Sequence, residues 1–209
     1  MSDYRSGQSL LDEEIIEDET GFAMCSFLDD PTTYEDACKE EKRQLILQVR
    51  DVLCDVLKWA GISAKKEAPV NFLTHPLEGR STLRPADILV VGWEGGKHAC
   101  VDLTGVSPLV GLKDKGFVVG QAVLKAEASK VAKHEKACLE NQHVFVPFAF
   151  DTFGGLAPDA VRLLNRVQKV VNSNSSSPKV SNVVFSRIGF SIQKGVAAQL
   201  VARLPAIAL

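Results

Sequence analysis

A chain of 209 residues with 45% hydrophobic content can bury a core of its own, and one globular domain with extensions is the natural expectation. No apolar run approaches the length needed to cross a bilayer, which points away from an integral membrane protein. The net charge of −2 hides a split: residues 1–36 hold eleven acids and one arginine, while the other 173 residues hold 15 acids and 23 bases.

A basic domain with an acidic tail suits a polyanion such as nucleic acid, since phosphate neutralisation dominates that kind of affinity. A solvated, lysine-rich surface without a ligand gives the same count. The N-terminus has neither the basic start and apolar stretch of a signal peptide nor the arginines of a transit peptide, so the nucleus or cytoplasm is the expected location. Five cysteines (25, 38, 54, 100 and 138) are odd in number, widely spaced and without a CxxC pair. Buried, reduced thiols are therefore expected in place of disulfides or structural zinc.

In chain order, residues 1–32 with "LLDEEIIEDE" are too acidic to fold alone and read as a flexible tail. "TTYEDACKEEKRQLILQVRDVLCDVLKWAG" then predicts a long helix: Thr33 and Asp36 resemble a capping box, and Gly61 supplies the stop. Leu45, Val49, Val52, Leu53, Val56 and Ala60 recur at helical spacing as one apolar face. "KKEAPVNFL" reads as an edge strand broken by Pro69, followed by a turn-rich stretch, a hairpin over 84–105 and the loop "SPLVGLKDKG". A helix over about 120–140 comes next, then a strand in "HVFVPFAFDTFG" and a helix opened by Pro158 and Asp159. A polar linker over 173–180 precedes a last helix weakened by two interior glycines. This order predicts a mixed sheet with helices packed on it.

The hairpin "RPADILVVGWEGGKHACVDLTG" carries one aspartate in each strand, Asp87 and Asp102. A turn at Glu94-Gly95 pairs the two directly, whereas a turn at Gly95-Gly96 pairs Asp87 with Thr104 and Leu89 with Asp102. Either register puts Asp87, Asp102 and Thr104 on one face. Two close carboxylates repel unless a cation, a proton or a base intervenes, and Mg²⁺ accepts one or two carboxylates plus waters. A capping role for Asp87 and a lysine partner for Asp102 account for the same residues. In the helix at 120–140, projection predicts a packed stripe of Leu124, Ala128, Val131, Ala132, Cys138 and Leu139. Glu127, Lys130 and His134 line its edge, and Lys133 lies further round toward solvent. Glu127 and Lys130 also fit an ordinary i,i+3 pair.

"RPADILVVGWEGGKHACVDLTGVSPL", "KVAKHEKAC", "VFVPFAFDTFG" and "GVAAQLVARLP" together resemble the C-terminal domain of plant retroelement-derived, reverse-transcriptase-related proteins. That domain is similar to PD-(D/E)XK, or restriction-endonuclease-like, nucleases. The resemblance covers about residues 45–209, and RPAD…D-x-T-x-x-SPL is its most specific part. It implies an α/β, three-layer fold with a mixed central sheet flanked by helices, comprising a core over 33–172 and a C-terminal helix over 181–209. It further implies that Asp87 and Asp102 hold Mg²⁺ or Mn²⁺ for phosphodiester hydrolysis. The lysine expected two residues after the second acid is replaced by Thr104, and some members carry it on the following helix, where Lys130 stands, with His134 one turn on. Glu67 matches an extra upstream acid. Arg84, Thr104, Lys130, Lys133 and His134 are the expected nucleic-acid contacts. The cysteine/histidine-rich segment that precedes the first helix in relatives is missing, as is a reverse transcriptase core. A nuclease-fold protein that has lost catalysis and binds protein or nucleic acid through its acidic tail or last helix is the rival expectation. The apolar stripe of that last helix predicts either a homodimer or closure of the domain's own core.

Overall fold

The computed structural model describes residues 31–68, 86–109, 117–174 and 182–203, with side chains from residue 36 onward. The acidic stretch to residue 30, Arg84, the turn-rich segment after the first strand and most of the polar linker lie outside the described residues. The elements run α1 (Pro31–Trp59), β1 (Ala64–Ala68), β2 (Ala86–Glu94), β3 (Lys97–Val106), α2 (Gln121–Glu140), β4 (Val144–Asp151), α3 (Pro158–Asn174) and α4 (Val183–Ala202). The expected α/β class with a mixed sheet is present. Strand order is β1-β2-β3-β4, antiparallel from β1 to β3 and parallel between β3 and β4. The parallel pair requires a crossover, and α2 supplies it. Among the described residues no helix is long and apolar enough to cross a membrane.

Alternation along the strands sends Ile88, Val90, Val101, Leu103, Val146, Phe148 and Phe150 into one core with residues of α1, α3 and α4. Cys100, Phe145 and Ala149 face the other way, toward residues of α2. The expected α1 face is buried at Leu45, Val49, Leu53, Val56 and Ala60, and Cys54 and Leu57 are buried as well. The reason is that α1 lies between the sheet and α4, so two of its faces lose solvent. Each such leucine contributes on the order of 2 kcal/mol by burial.

The last helix belongs to the same core, through Val184, Ile188 and Ile192. One face of it therefore closes the domain's own interior, while Phe190, Leu200 and Val201 on the same helix stay exposed. Gly195, expected only to weaken the helix, is where α4 meets α1: a methyl there would run into Leu45 Cδ1. Gln48 donates to the Ser191 carbonyl at 3.0 Å, and Gln199 donates to the Glu41 carbonyl at 2.8 Å. These bonds pin the helix pair at both ends of the contact.

The expected packing stripe of α2 is corrected. Val123 and Cys138 are its buried residues, while Leu124 and Leu139 are 50% and 58% exposed. The helix is rotated so that Glu127, Lys130 and His134, placed at the stripe's edge by projection, are partly buried instead. The cause is electrostatic and lies in the site described below.

After β4, the buried Asp151 accepts hydrogen bonds from the Phe153 N–H at 2.9 Å and the Gly155 N–H at 2.7 Å through Oδ1. A Cβ at residue 155 would fall on this carboxylate, 2.9 Å from its carbon. Gly155→Ala is expected to destabilise by about 1–3 kcal/mol, through overpacking and a disturbed acceptor. At Gly189, within α4, an added methyl meets nothing within 4 Å. Gly189→Ala is expected to be neutral or to stabilise by up to about 1 kcal/mol. Urea unfolding of the two variants checks the contrast.

Candidate active site

The hairpin combines the two registers that its sequence allows. Its turn is Gly95-Gly96, both at positive φ (55° and 79°), flanked by the Glu94–Lys97 pair. Two consecutive left-handed residues suit the twist of a tight hairpin, and glycine adopts them without a Cβ clash. Continued unbroken, this turn would set Asp87 against Thr104. Between Val90 and Glu94, however, the register shifts: Val91, Gly92 and Trp93 face the single residue His98. This bulge is held by the Gly92 N–H, which donates to His98 Nδ1 at 3.1 Å. It is also held by Arg166, which donates to the Trp93 carbonyl and lies 4.0 Å over the Trp93 ring. Below the bulge Ile88 pairs with Val101, so one further step brings Asp87 opposite Asp102. The shift is two residues, an even number, so the residues below the bulge keep the faces that either register gives them.

The same count extends the row across the sheet. Lys66 pairs with Ile88 and Ala68 with Ala86, which sets Glu67 opposite Asp87; Asp102 pairs with Pro147 on β4. Glu67, with its left-handed backbone (φ 46°), nonetheless turns its carboxylate to Arg50. It is 66% exposed.

Within the row, Asp87 Oδ2 accepts a hydrogen bond from the Leu103 N–H at 2.6 Å. Burial pushes the Asp87 carboxyl above its ordinary range, and the charge of Asp102 adds to the rise. The Leu103 N–H, Lys130 and Arg50 oppose it. Lys130 reaches down from α2 to place Nζ 2.7 Å from Asp102 Oδ2, with the two side chains 29% and 22% exposed. This contact is ionic and lacks hydrogen-bond geometry, because Asp102 Oδ2 is buried and takes no hydrogen bond.

The remaining expected residues fall into place around this core. Thr104 is half-buried and pairs in register with Ala149. His134 is half-buried, its ring 5.8 Å from that of Phe145, and Lys133 is exposed. Glu127, read as one half of an i,i+3 pair, instead accepts from the Asp159 N–H at 2.7 Å. It thereby caps the positive N-terminal end of α3, while burial raises its own carboxyl and Arg162 opposes that rise. Lys130 is thus freed for Asp102.

Two features escaped the sequence reading. Arg50 is nearly buried between α1 and β1, bonded to Asp51 and Glu67. A guanidinium inside the apolar stretch Leu45–Leu57 was the available signal. Cys100 and Cys138, both buried, share a cluster beside the acids. A hydrogen bond between these two thiols raises Cys100 and lowers Cys138.

Asp87 and Asp102 thus stand opposite each other in register, with the buried Oδ2 of Asp102 met by the Lys130 ammonium. Among the described residues no group of three or more His, Cys, Asp or Glu gathers as a metal cluster. No family model, curated protein or solved structure matches this chain.

Asp87 makes a pH test available. Its contribution to stability is fully present below its unfolded pKa, where it is neutral in both states, and is lost as pH rises through the raised folded value. Asn can still accept from Leu103 and carries no charge. Asp87→Asn is expected to melt at a higher temperature than wild type at pH 7 without metal, with no gain below the ordinary carboxylate range. Thermal scans of both proteins between pH 3 and pH 8 check the sign.

Proposed function

We propose that this chain carries a nuclease-like domain of the PD-(D/E)XK, restriction-endonuclease-like class, hydrolysing phosphodiester bonds in nucleic acid with Mg²⁺ or Mn²⁺. The observation that carries this reading is the placement of Lys130, whose ammonium reaches Asp102 from the crossover helix while Asp87 stands opposite. A lysine carried on that helix takes over the place that Thr104 leaves without one.

In this reading Asp87 and Asp102 hold the metal, Asp87 through the carboxylate that the Leu103 N–H orients. When bound, the ion lowers the pKa of a coordinated water and stabilises charge on the phosphate oxygens. Lys130 orients or activates the attacking water and offers positive charge to the phosphate. Thr104, His134 and Lys133 then line the approach of the polynucleotide, with the excess positive charge outside the acidic N-terminal stretch drawing it in.

The Lys130–Asp102 ion pair also supports a second reading. It neutralises one acid without any metal, as a protein that keeps the fold for binding alone would require.

Calorimetry with Mg²⁺ and Mn²⁺, paired with cleavage assays on DNA and RNA, separates the two. Nuclease function predicts metal binding that is lost in Asp87→Asn and in Asp102→Asn. At ten times Kd the ion should stabilise wild type by about 1.4 kcal/mol. Lys130→Ala should retain metal and lose cleavage by at least about a hundredfold. Absence of metal binding at millimolar concentration in wild type leaves the binding-module reading.

A further inference from the structure

We propose that Cys100 and Cys138 form a redox modification site: a dithiol that a low-molecular-weight disulfide, such as oxidised glutathione, converts into a disulfide linking β3 to α2. This thiol chemistry does not depend on the nucleolytic reading.

The geometry is specific. Cys100 points from β3 and Cys138 from α2, and they pack against each other in a small cluster with Ala86, Leu89 and Phe145. They are 3% and 7% exposed and belong to one packed cluster, so the two thiols already occupy the two sides of one interface. Cys54 and Cys38 are buried elsewhere, on α1.

Access follows from how weakly α2 is held. It buries Val123 and Cys138 alone, whereas α3 and α4 each bury six residues. Leu124 and Leu139 spend half or more of their surface in water. A helix with few buried apolar contacts opens locally at low cost, and opening at its C-terminal end exposes Cys138 first.

The exchange balances. Cys138 attacks one glutathione sulfur, the glutathione S–S bond breaks, and the departing thiolate takes up the Cys138 proton. Cys100 then attacks the Cys138 sulfur of the mixed disulfide, the second glutathione leaves, and it carries away the Cys100 proton. Two thiols are oxidised and one glutathione disulfide is reduced to two thiols. The product ties α2 to the sheet two residues from Asp102 and two helical turns beyond Lys130.

The test uses the full chain, reduced and then exposed to oxidised glutathione, quenched by alkylation and mapped by mass spectrometry. The expected result is a Cys100–Cys138 linked peptide that is reversed by dithiothreitol, with alkylation of both falling about tenfold while Cys38 and Cys54 stay reactive after denaturation. The oxidised protein should melt several degrees higher than the reduced one. Cys100→Ser and Cys138→Ser should each lose both effects while retaining the melting temperature of the reduced wild type within a few degrees. Full alkylation of Cys100 and Cys138 after oxidation overturns the proposal, as does a linkage that pairs either with another cysteine. Neither readout involves metal or cleavage, so failure here and failure of the nuclease reading are distinguishable.

Discussion

The ion pair between Lys130 and Asp102 sets how the crossover helix sits on the sheet. Leaving an acid in that half-buried position without its cation costs on the order of 3 kcal/mol. Rotating α2 to bring lysine inward leaves Leu124 and Leu139 half in water, which costs on the order of 1 kcal/mol each. The charge term is larger, so the helix presents Glu127, Lys130 and His134 toward the sheet. With α2 in that orientation, Glu127 caps α3, His134 lies on Phe145, and Cys138 meets Cys100.

That pair has meaning only because the hairpin delivers Asp102 and Asp87 to one place. A glycine turn chosen for tightness would misalign the acids, and the bulge at Val91–Trp93 corrects the misalignment. Its supports come from both sides of the hairpin: His98 holds Gly92, and Arg166 of α3 holds Trp93. Bulges re-aim side chains in this way next to functional sites. Asp87 resists ionisation chiefly because it is buried, and the nearby charge of Asp102 adds to that resistance. Strain of this kind is expected where a cation or a proton is to be bound.

The far side of the sheet is built on ordinary packing. There α1 lies between the sheet and α4, and Gly195 lets the two helices approach closely enough for Leu45 to fill the contact. This layer carries most of the buried apolar side chains. The opposite layer, α2, is thin and polar. One face carries most of the apolar packing and the other carries Asp87 and Asp102, a division that leaves the second face the easier to open.

Periodicity in the sequence was sufficient for the elements. Alternation in β2 to β4 and the 3.6-residue spacing in α1 report burial directly, because the packing of those elements is dominated by apolar side chains. The pattern also sufficed to put Asp87, Asp102 and Thr104 on one face, since a two-residue slip of register does not change faces. The rotation of α2, the alignment of the two acids and the use of Gly195 were settled by tertiary structure. Each depends on a partner distant in sequence: Asp102 for Lys130, Arg166 for the bulge, Leu45 for the glycine. Helical projection assumes that the apolar face turns inward, and a buried carboxylate awaiting a cation reverses that assumption in α2. No local pattern records it, because the energy that decides the orientation belongs to the pair and not to either residue.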